Sequence, residues 1–255
     1  MIIVLRRILL FSFILSASLQ VEAQVNVRDS LLSFTMFQVN VGLNFPLNDL
    51  KDRFTNFGNL GGQVSRKTKA GWIFGGSGNF LFGDGVKETS MIDAITVGEA
   101  FIISSGGTLS DIRYSLRGFS AQLHVGKMFP VWGPNKNCGL FALLSGGMMQ
   151  HKIRFDTDRN TNAPSLTKEY KKGYDRLSNG LLISPSVGYQ YLGNNTTINF
   201  FIQVEYAYAS TQNRRSYNFD TGLPDTRQRD DSYFNVKIGW SLPIYKKASS
   251  DFYYF

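Results

Sequence analysis

Cysteine is almost absent from this chain: Cys138 stands alone among 255 residues, which excludes an intramolecular disulfide scaffold. Its neighbours Lys136, Asn137 and Gly139 supply neither a base nor an orienting group, so it reads as a bystander and not as a nucleophile. Histidine is nearly as scarce. Only His124 and His151 are present, leaving few imidazoles for proton transfer or metal ligation. Proline is held to 7 residues while Gly reaches 25, Phe 21 and Tyr 12, a balance that excludes disorder. Long hydrophobic runs are missing too: beyond the N-terminus no window approaches the ~18 apolar residues of a spanning helix.

The one apolar run is at the start. Arg6 and Arg7 precede Ile8 to Ala17, and Val21-Glu22-Ala23 places small residues before Gln24. That is the layout of a secretory signal peptide over 1–23, with the mature chain expected from Gln24 to the end at 255.

What the remaining chain does have is alternation. Phe234, Val236, Ile238, Trp240, Leu242 and Ile244 interleave with Asn235, Lys237, Gly239, Ser241, Pro243 and Tyr245. Ile198 to Tyr208, Phe37 to Phe45 and Phe119 to Val125 repeat the pattern. Such segments last about 9–11 residues, which suits tilted strands crossing a bilayer. Eight strands are predicted near 34–46, 58–66, 71–83, 113–130, 139–155, 180–192, 197–213 and 232–245. Short connections (67–70, 131–137, 193–196) alternate strictly with long ones (47–57, 84–112, 156–179, 214–231), as in a barrel whose alternate hairpins face opposite sides of a membrane. The expected fold is all-β: a transmembrane antiparallel β-barrel of about eight strands with long extracellular loops and short periplasmic turns.

Closure is a physical requirement, because hydrocarbon offers no partner to an unpaired backbone group. An interior of eight strands is narrow enough for side chains to fill it. The inward set reads as polar and includes Gln38, Asn40, Asn44, Ser120, Gln122, His124, Asn199, Gln203, Glu205 and Lys237. Glu205 and Lys237 lie on neighbouring strands, so a lumenal ion pair is one expectation and separate partners the other. Trp72, Trp132, Trp240, Tyr189, Tyr191, Tyr206 and Tyr208 suit aromatic girdles.

With this pattern, the Ala23-Gln24 junction and the aromatic C-terminus Phe252-Tyr253-Tyr254-Phe255, the chain resembles the small outer-membrane β-barrel proteins of Gram-negative bacteria, especially the signal-plus-barrel proteins of the Bacteroidota. The resemblance implies residence in the cell outer membrane, outer-membrane lipid and lipopolysaccharide as neighbours, and the barrel-assembly machinery as a partner during insertion. In that family the last strand often ends in an aromatic residue; here Lys246, Lys247, Ser249, Ser250 and Asp251 separate the clean strand from Phe255. Asp29-Ser30-Leu31 also looks like the short O-glycosylation signal of that phylum.

Candidate chemistry is sparse. Ser120 and His124 share a strand face but stand about 13 Å apart, beyond hydrogen-bond reach. His151, beside Lys152 and Arg154, reads as a surface residue. Asp156, Asp158, Asn160 and Asn162 repeat the spacing of a cation loop without its glycine and closing glutamate. Gly75-Gly76-Ser77-Gly78 precedes no helix and is no nucleotide loop. The expectation is no catalytic residue, no metal and no cofactor.

The net charge of +8 asks for an anionic partner. Nucleic acid would need a clustered patch with stacking aromatics. The cations fall instead at the expected interface levels: Arg66, Lys67, Lys69, Lys246 and Lys247 at one end, and Lys152, Arg154, Lys171, Lys172, Arg176, Arg214 and Arg215 at the other. Lipid headgroups and lipopolysaccharide phosphates are the expected contacts, with solvated charge as the alternative. The apolar residues Met91, Ile92, Phe101 and Ile102 in a long loop are expected to meet a partner, such as another outer-membrane protein. The function so read is a non-enzymatic structural or protein-interaction barrel, with a subunit of a larger outer-membrane secretion or assembly complex as one form of it. A lipid A-modifying enzyme and a narrow channel are the alternatives.

Overall fold

A computed structural model describes residues 31–98, 101–157, 166–194 and 198–245. The signal peptide, Gln24, Asp29-Ser30, the later positions of the cation-loop motif, Lys246, Lys247 and the C-terminal aromatics lie outside these. The strands are β1 (Phe34–Leu47), β2 (Phe57–Lys67), β3 (Trp72–Gly83), β4 (Phe101–Ile103), β5 (Leu109–Phe129), β6 (Gly139–Thr157), β7 (Ser178–Leu192), β8 (Asn199–Asn213) and β9 (Gln228–Tyr245). All but β4 form one antiparallel ring in the order β1-β2-β3-β5-β6-β7-β8-β9. It closes where β9 pairs with β1 along its full length, from Phe34↔Tyr245 to Leu47↔Ser232. The eight expected strands are therefore all present.

Alternation decides which face is which. Phe37, Val39, Val41, Leu43 and Phe45 on β1 project outward and are exposed, as are Phe200, Ile202, Val204 and Tyr208 on β8 and Phe234 to Ile244 at every second position of β9. An apolar band encircling the barrel is far larger than the patches soluble monomers tolerate, and it has the polarity of a lipid-facing surface. At its lower edge Lys127 lies over the Trp72 and Phe129 rings, at 5.7 and 5.9 Å from their centroids.

Residues 68–71, 130–138 and 193–198 connect strands at one end, the turn end; residues 48–56, 84–108, 158–177 and 214–227 do so at the other, the loop end. The longer connections carry structure that periodicity did not reveal: α1 (Asn48–Arg53), a 3-10 turn (Ser90–Ile95), β4 pairing with β5, and α2 (Lys168–Tyr174). Each is too short for a period to show in sequence.

The interior falls into three tiers. At the loop end an apolar plug gathers Leu50, Phe54, Met91, Ile92, Ile102 and Tyr233 with inward residues of β5 and β6. The middle is polar. Toward the turn end two apolar clusters close the floor, one around Phe141 and Phe201 and one around Phe34, Met36, Cys138 and Leu192. Cys138 is buried there, its Sγ 3.2 Å from the Leu192 carbonyl.

The outward placement of Val204, flanked by Val187 and Val236 on the neighbouring strands, generates a test. Val204→Arg should cost about 2–4 kcal/mol of folding stability in lipid vesicles, the penalty for a cation near the bilayer midplane. Denaturant titration of the reconstituted protein measures it, and an unchanged midpoint would contradict the assignment of this face to lipid.

Candidate functional site

The middle tier is built by strands delivering one polar side chain at every second residue. Lys237 on β9 and Glu205 on β8 form a buried ion pair, the first of the two sequence expectations. Gln122 on β5 reaches across the interior and donates to Glu205 Oε1 at 3.3 Å, while its own Oε1 accepts from Ser184 Oγ at 2.5 Å. Lower down, Gln38 on β1 donates to Gln190 on β7 (3.0 Å) and Ser241 on β9 (2.8 Å), and accepts from Gln63 on β2 (2.6 Å). Asn44, Asn59 and Asn235 make a further cluster. Gln122, His124, Gln203, Glu205 and Lys237 are all buried inward, where the alternation placed them. A buried charge in so dry a setting is tolerable only when paired and hydrogen-bonded, as Glu205 is.

His124 has a partner that the sequence did not disclose. Its Nε2 lies 2.8 Å from Ser65 Oγ on β2, although β3 stands between β2 and β5. Gly75, the β3 residue opposite His124, makes the contact possible: a Cβ there would sit 2.9 Å from His124 Nε2 and 2.1 Å from the Val64 carbonyl. Ser120, the hydroxyl weighed from sequence, instead accepts from Asn79 at 3.4 Å. Both Ser65 and His124 are buried between the apolar tiers.

Three sequence expectations are corrected. His151 is not a surface residue: it is 1% exposed, and its Nε2 lies 2.8 Å from Asp231 Oδ2, which also accepts from Thr211 Oγ1 at 2.5 Å. Alternation on β6 continues past the belt, so His151 shares the inward face of Met149, Ile153 and Phe155 while Lys152 and Arg154 face out. Met91, Ile92 and Ile102 are fully buried in the plug, so they cannot be the partner-facing surface; only Phe101 of that set remains exposed. An open barrel mouth must be covered by something apolar, and this loop folds back to do it. Lys67 is not free to meet headgroups either. It turns inward, donating to the Leu32 carbonyl and Asn137 Oδ1, both at 3.2 Å.

At the loop end ion pairs link all four long connections, in a ring completed by the backbone of the fourth loop and of α1. Arg53 of α1 meets Glu88 (3.0 Å), Glu88 meets Arg176 (3.2 Å), and Arg176 meets Asp220 (2.5 Å). Arg227 then returns to α1 through Asp49 (2.9 Å). Asp175 adds a bidentate link to Arg215, at 2.5 and 2.8 Å. Of the expected headgroup cations, Lys172 pairs with Glu169 (2.9 Å), Arg154 with Asp156 (2.9 Å) and Arg214 with Asn179, while Lys152 has only Asp175 at 3.9 Å. Above the ring Tyr170, Tyr217 and Phe219 are exposed and pack edge to face, with Phe219 also against Tyr174 at 5.4 Å.

The carboxyl group of Asp225 tunes the fourth loop. Burial alone would raise its pKa, but the hydrogen bond and charge of Arg229, with the Arg227 backbone N–H, hold it below the ordinary value of 3.8. A lowered folded value means the stabilisation is complete above 3.8 and is lost as pH falls through the folded value. Pepsin cleavage within 214–227 should therefore rise only below pH 3.8 in the native chain, and Asp225→Asn should show that looseness at neutral pH by trypsin cleavage. Arg176→Ala removes two links of the ring at once and should raise loop proteolysis about tenfold while the barrel stays folded. In the lumen, Lys237→Met leaves Glu205 buried and unpaired, a cost of about 3–5 kcal/mol. Adding Glu205→Gln should recover most of it in the same unfolding assay.

No protein-family model and no curated protein matches the chain. Solved structures that resemble it include Ail, the attachment invasion locus protein of Yersinia pestis, with TM-score 0.41 and 10% identity over 82% of this chain and 99% of that one. The N-terminal β-barrel domain of Pseudomonas aeruginosa OprF gives TM-score 0.37 and 8% identity over 81% and 96%. Neisserial surface protein A gives 0.37 and 10% over 82% and 96%. At these values the likeness is one of general fold, and no residue role is carried over from it.

Proposed function

We propose that this chain is a non-enzymatic outer-membrane β-barrel that holds a rigid interaction surface at the loop end, exported by the signal peptide over 1–23 and inserted by the barrel-assembly machinery. The observation that carries the reading is the ion-pair ring through Arg53, Glu88, Arg176, Asp220, Arg227 and Asp49. Four connections cross-linked over a packed plug form a fixed platform, and pre-organised surfaces bind without the entropic cost of ordering loops. The lumen takes no part. Side chains bridging it from opposite strands favour a filled interior over a channel, and the buried Ser65–His124 pair fits a packing role.

The partner-facing residues in this reading are those the plug does not consume. Tyr170, Tyr217 and Leu223 stand exposed on the third and fourth loops, and Phe101, Ile103 and Leu109 on the β4–β5 hairpin. Exposed aromatics on rigid supports are the usual anchors of protein interfaces. Another outer-membrane protein, in a secretion or assembly complex, is the partner class this surface suits. Lys152, Arg154, Lys171, Lys172, Arg214 and Arg215 of the same end are the residues proposed to meet lipid and lipopolysaccharide headgroups.

Two measurements test this. Unboiled protein should migrate faster than boiled protein on a denaturing gel and fractionate with the outer membrane; identical migration and a soluble fraction would sink the barrel reading. Partners retained at fixed stoichiometry from gently solubilised membranes should be lost with Tyr170→Ser/Tyr217→Ser/Leu223→Ser while the gel shift is kept. Retention unchanged by that variant would place the interaction elsewhere.

A further inference from the structure

On the outer flank of the barrel the cross-strand rows change character within a few residues. Phe80 on β3 and Phe119 on β5 are direct partners and both face out. One row toward the loop end, Arg117 on β5 is paired directly with Lys152 on β6. Like charges directly opposite each other in a sheet are destabilising, and the usual remedy, an intervening carboxylate, is missing. Among the described residues no carboxylate lies within ion-pair distance of Arg117, whose guanidinium donates only to the Leu116 carbonyl at 2.8 Å. Lys152 is 45% exposed and meets Asp175 at 3.9 Å, a carboxylate already engaged by Arg215. Arg154 follows on the same face, and Lys171 of α2 closes the top, donating to the Phe155 carbonyl at 2.8 Å. These cations line a pocket of about 620 Å³ with Phe80 at its foot. Four positive groups face two carboxylates there, Asp156 and Asp175.

Below the aromatic row the same strands form a second concavity. Gly78 pairs with Ala121 and Gly76 with Leu123, which in turn lies opposite Gly146 on β6. The missing side chains leave an apolar groove of about 970 Å³ walled by Val64, Met148 and Leu181. Arg117 to Ala121 spans about 13 Å of strand, so a charged pocket and an apolar groove follow one another along a single line on the lipid-facing side.

We propose that this flank of β3, β5 and β6 is a binding site for an anionic, acyl-bearing lipid of the loop-end leaflet. Arg117, Lys152, Arg154 and Lys171 hold its phosphate, and its acyl chain passes Phe80 and Phe119 into the groove. Charge complementarity selects the headgroup: a phosphate between Arg117 and Lys152 turns a repulsive pair into two charge-assisted contacts. The apolar groove selects a lipid over a soluble phosphate, since only an acyl chain gains from covering it. The proposal rests on the reading that the barrel spans a membrane, and it adds Arg117 to the cations expected there while setting aside Lys172, Arg214 and Arg215, which lie outside the pocket.

The test uses the full mature chain in nanodiscs of phosphatidylcholine, with and without a minor fraction of phosphatidic acid. After detergent extraction and purification, lipid retained by the protein is counted by mass spectrometry. Retention of phosphatidic acid should exceed its bulk fraction about tenfold and fall to the bulk fraction in Arg117→Gln/Lys152→Gln, as loss of two interfacial cations implies. Lys69→Gln/Lys136→Gln, the same charge change at the turn end, should leave the enrichment intact. Stability supplies a second readout of opposite sign: in pure phosphatidylcholine the Arg117→Gln/Lys152→Gln protein should be at least as stable as the native chain, and in phosphatidic acid less stable. Equal retention by both proteins, or the same order of stability in both lipids, overturns the site. Competition by millimolar inorganic phosphate that matches the lipid would overturn the acyl half of it. A native chain that shows no heat-modifiable shift in the nanodisc fails the membrane reading instead, so the two failures are distinguishable.

Discussion

The pairing of β9 with β1 is the constraint on which the rest of this molecule depends. A sheet in hydrocarbon cannot leave an edge open, because each unsatisfied N–H or C=O there costs several kcal/mol. Once the last strand is bonded to the first from Phe34↔Tyr245 to Leu47↔Ser232, the sheet has no open edge and the side chains are sorted into two populations. Those facing out must be compatible with lipid, and those facing in must fill a space only a few side chains wide. The apolar face of β8 and β9 and the polar interior around Glu205 and Lys237 are two results of the same closure.

A filled interior creates its own demand. A polar middle tier is the more stable the drier and better bonded it is, and water entering from either mouth would compete with the Glu205–Lys237 pair and the glutamine bridges. The plug and the floor clusters exclude it. This accounts for the apolar composition of the second loop: Met91, Ile92 and Ile102 are hydrophobic because the barrel needs a lid. The ion-pair ring then holds the four connections in the positions that keep the lid seated, so the platform facing solvent and the protection of the lumen are produced by one arrangement.

Strands were legible in the sequence wherever one side chain in two met lipid, since that contrast repeats over ten or more residues. The number and order of the barrel strands followed from it. His151 was legible in principle: continuing the period of β6 from Phe141 through Met149 to Phe155 puts it inside, and only its charged neighbours suggested otherwise. The Ser65–His124 contact was not legible, because it joins strands that are not adjacent and depends on the missing side chain of Gly75. Nor was the ring of ion pairs. Arg53, Glu88, Arg176 and Asp220 are scattered over 168 positions of chain as numbered, and no spacing rule relates residues that meet only after four loops have folded over one mouth.

The same sorting explains why the Arg117↔Lys152 pair stands out. Several buried charges of the described barrel are answered within the protein: Glu205 by Lys237, Asp231 by His151 and Thr211, Asp175 by Arg215. Evolutionary freedom on the outer surface is wide, because lipid makes few specific demands beyond low polarity, and two facing cations one row above Phe80 and Phe119 could have been relieved by changing either residue. A sheet that keeps such a pair at the boundary of its apolar band gains stability where the boundary itself supplies the anion. Lipid headgroups are the anions found at that depth, so the membrane acts in this structure as more than a solvent for the belt: at one flank it completes the charge balance that the protein leaves open.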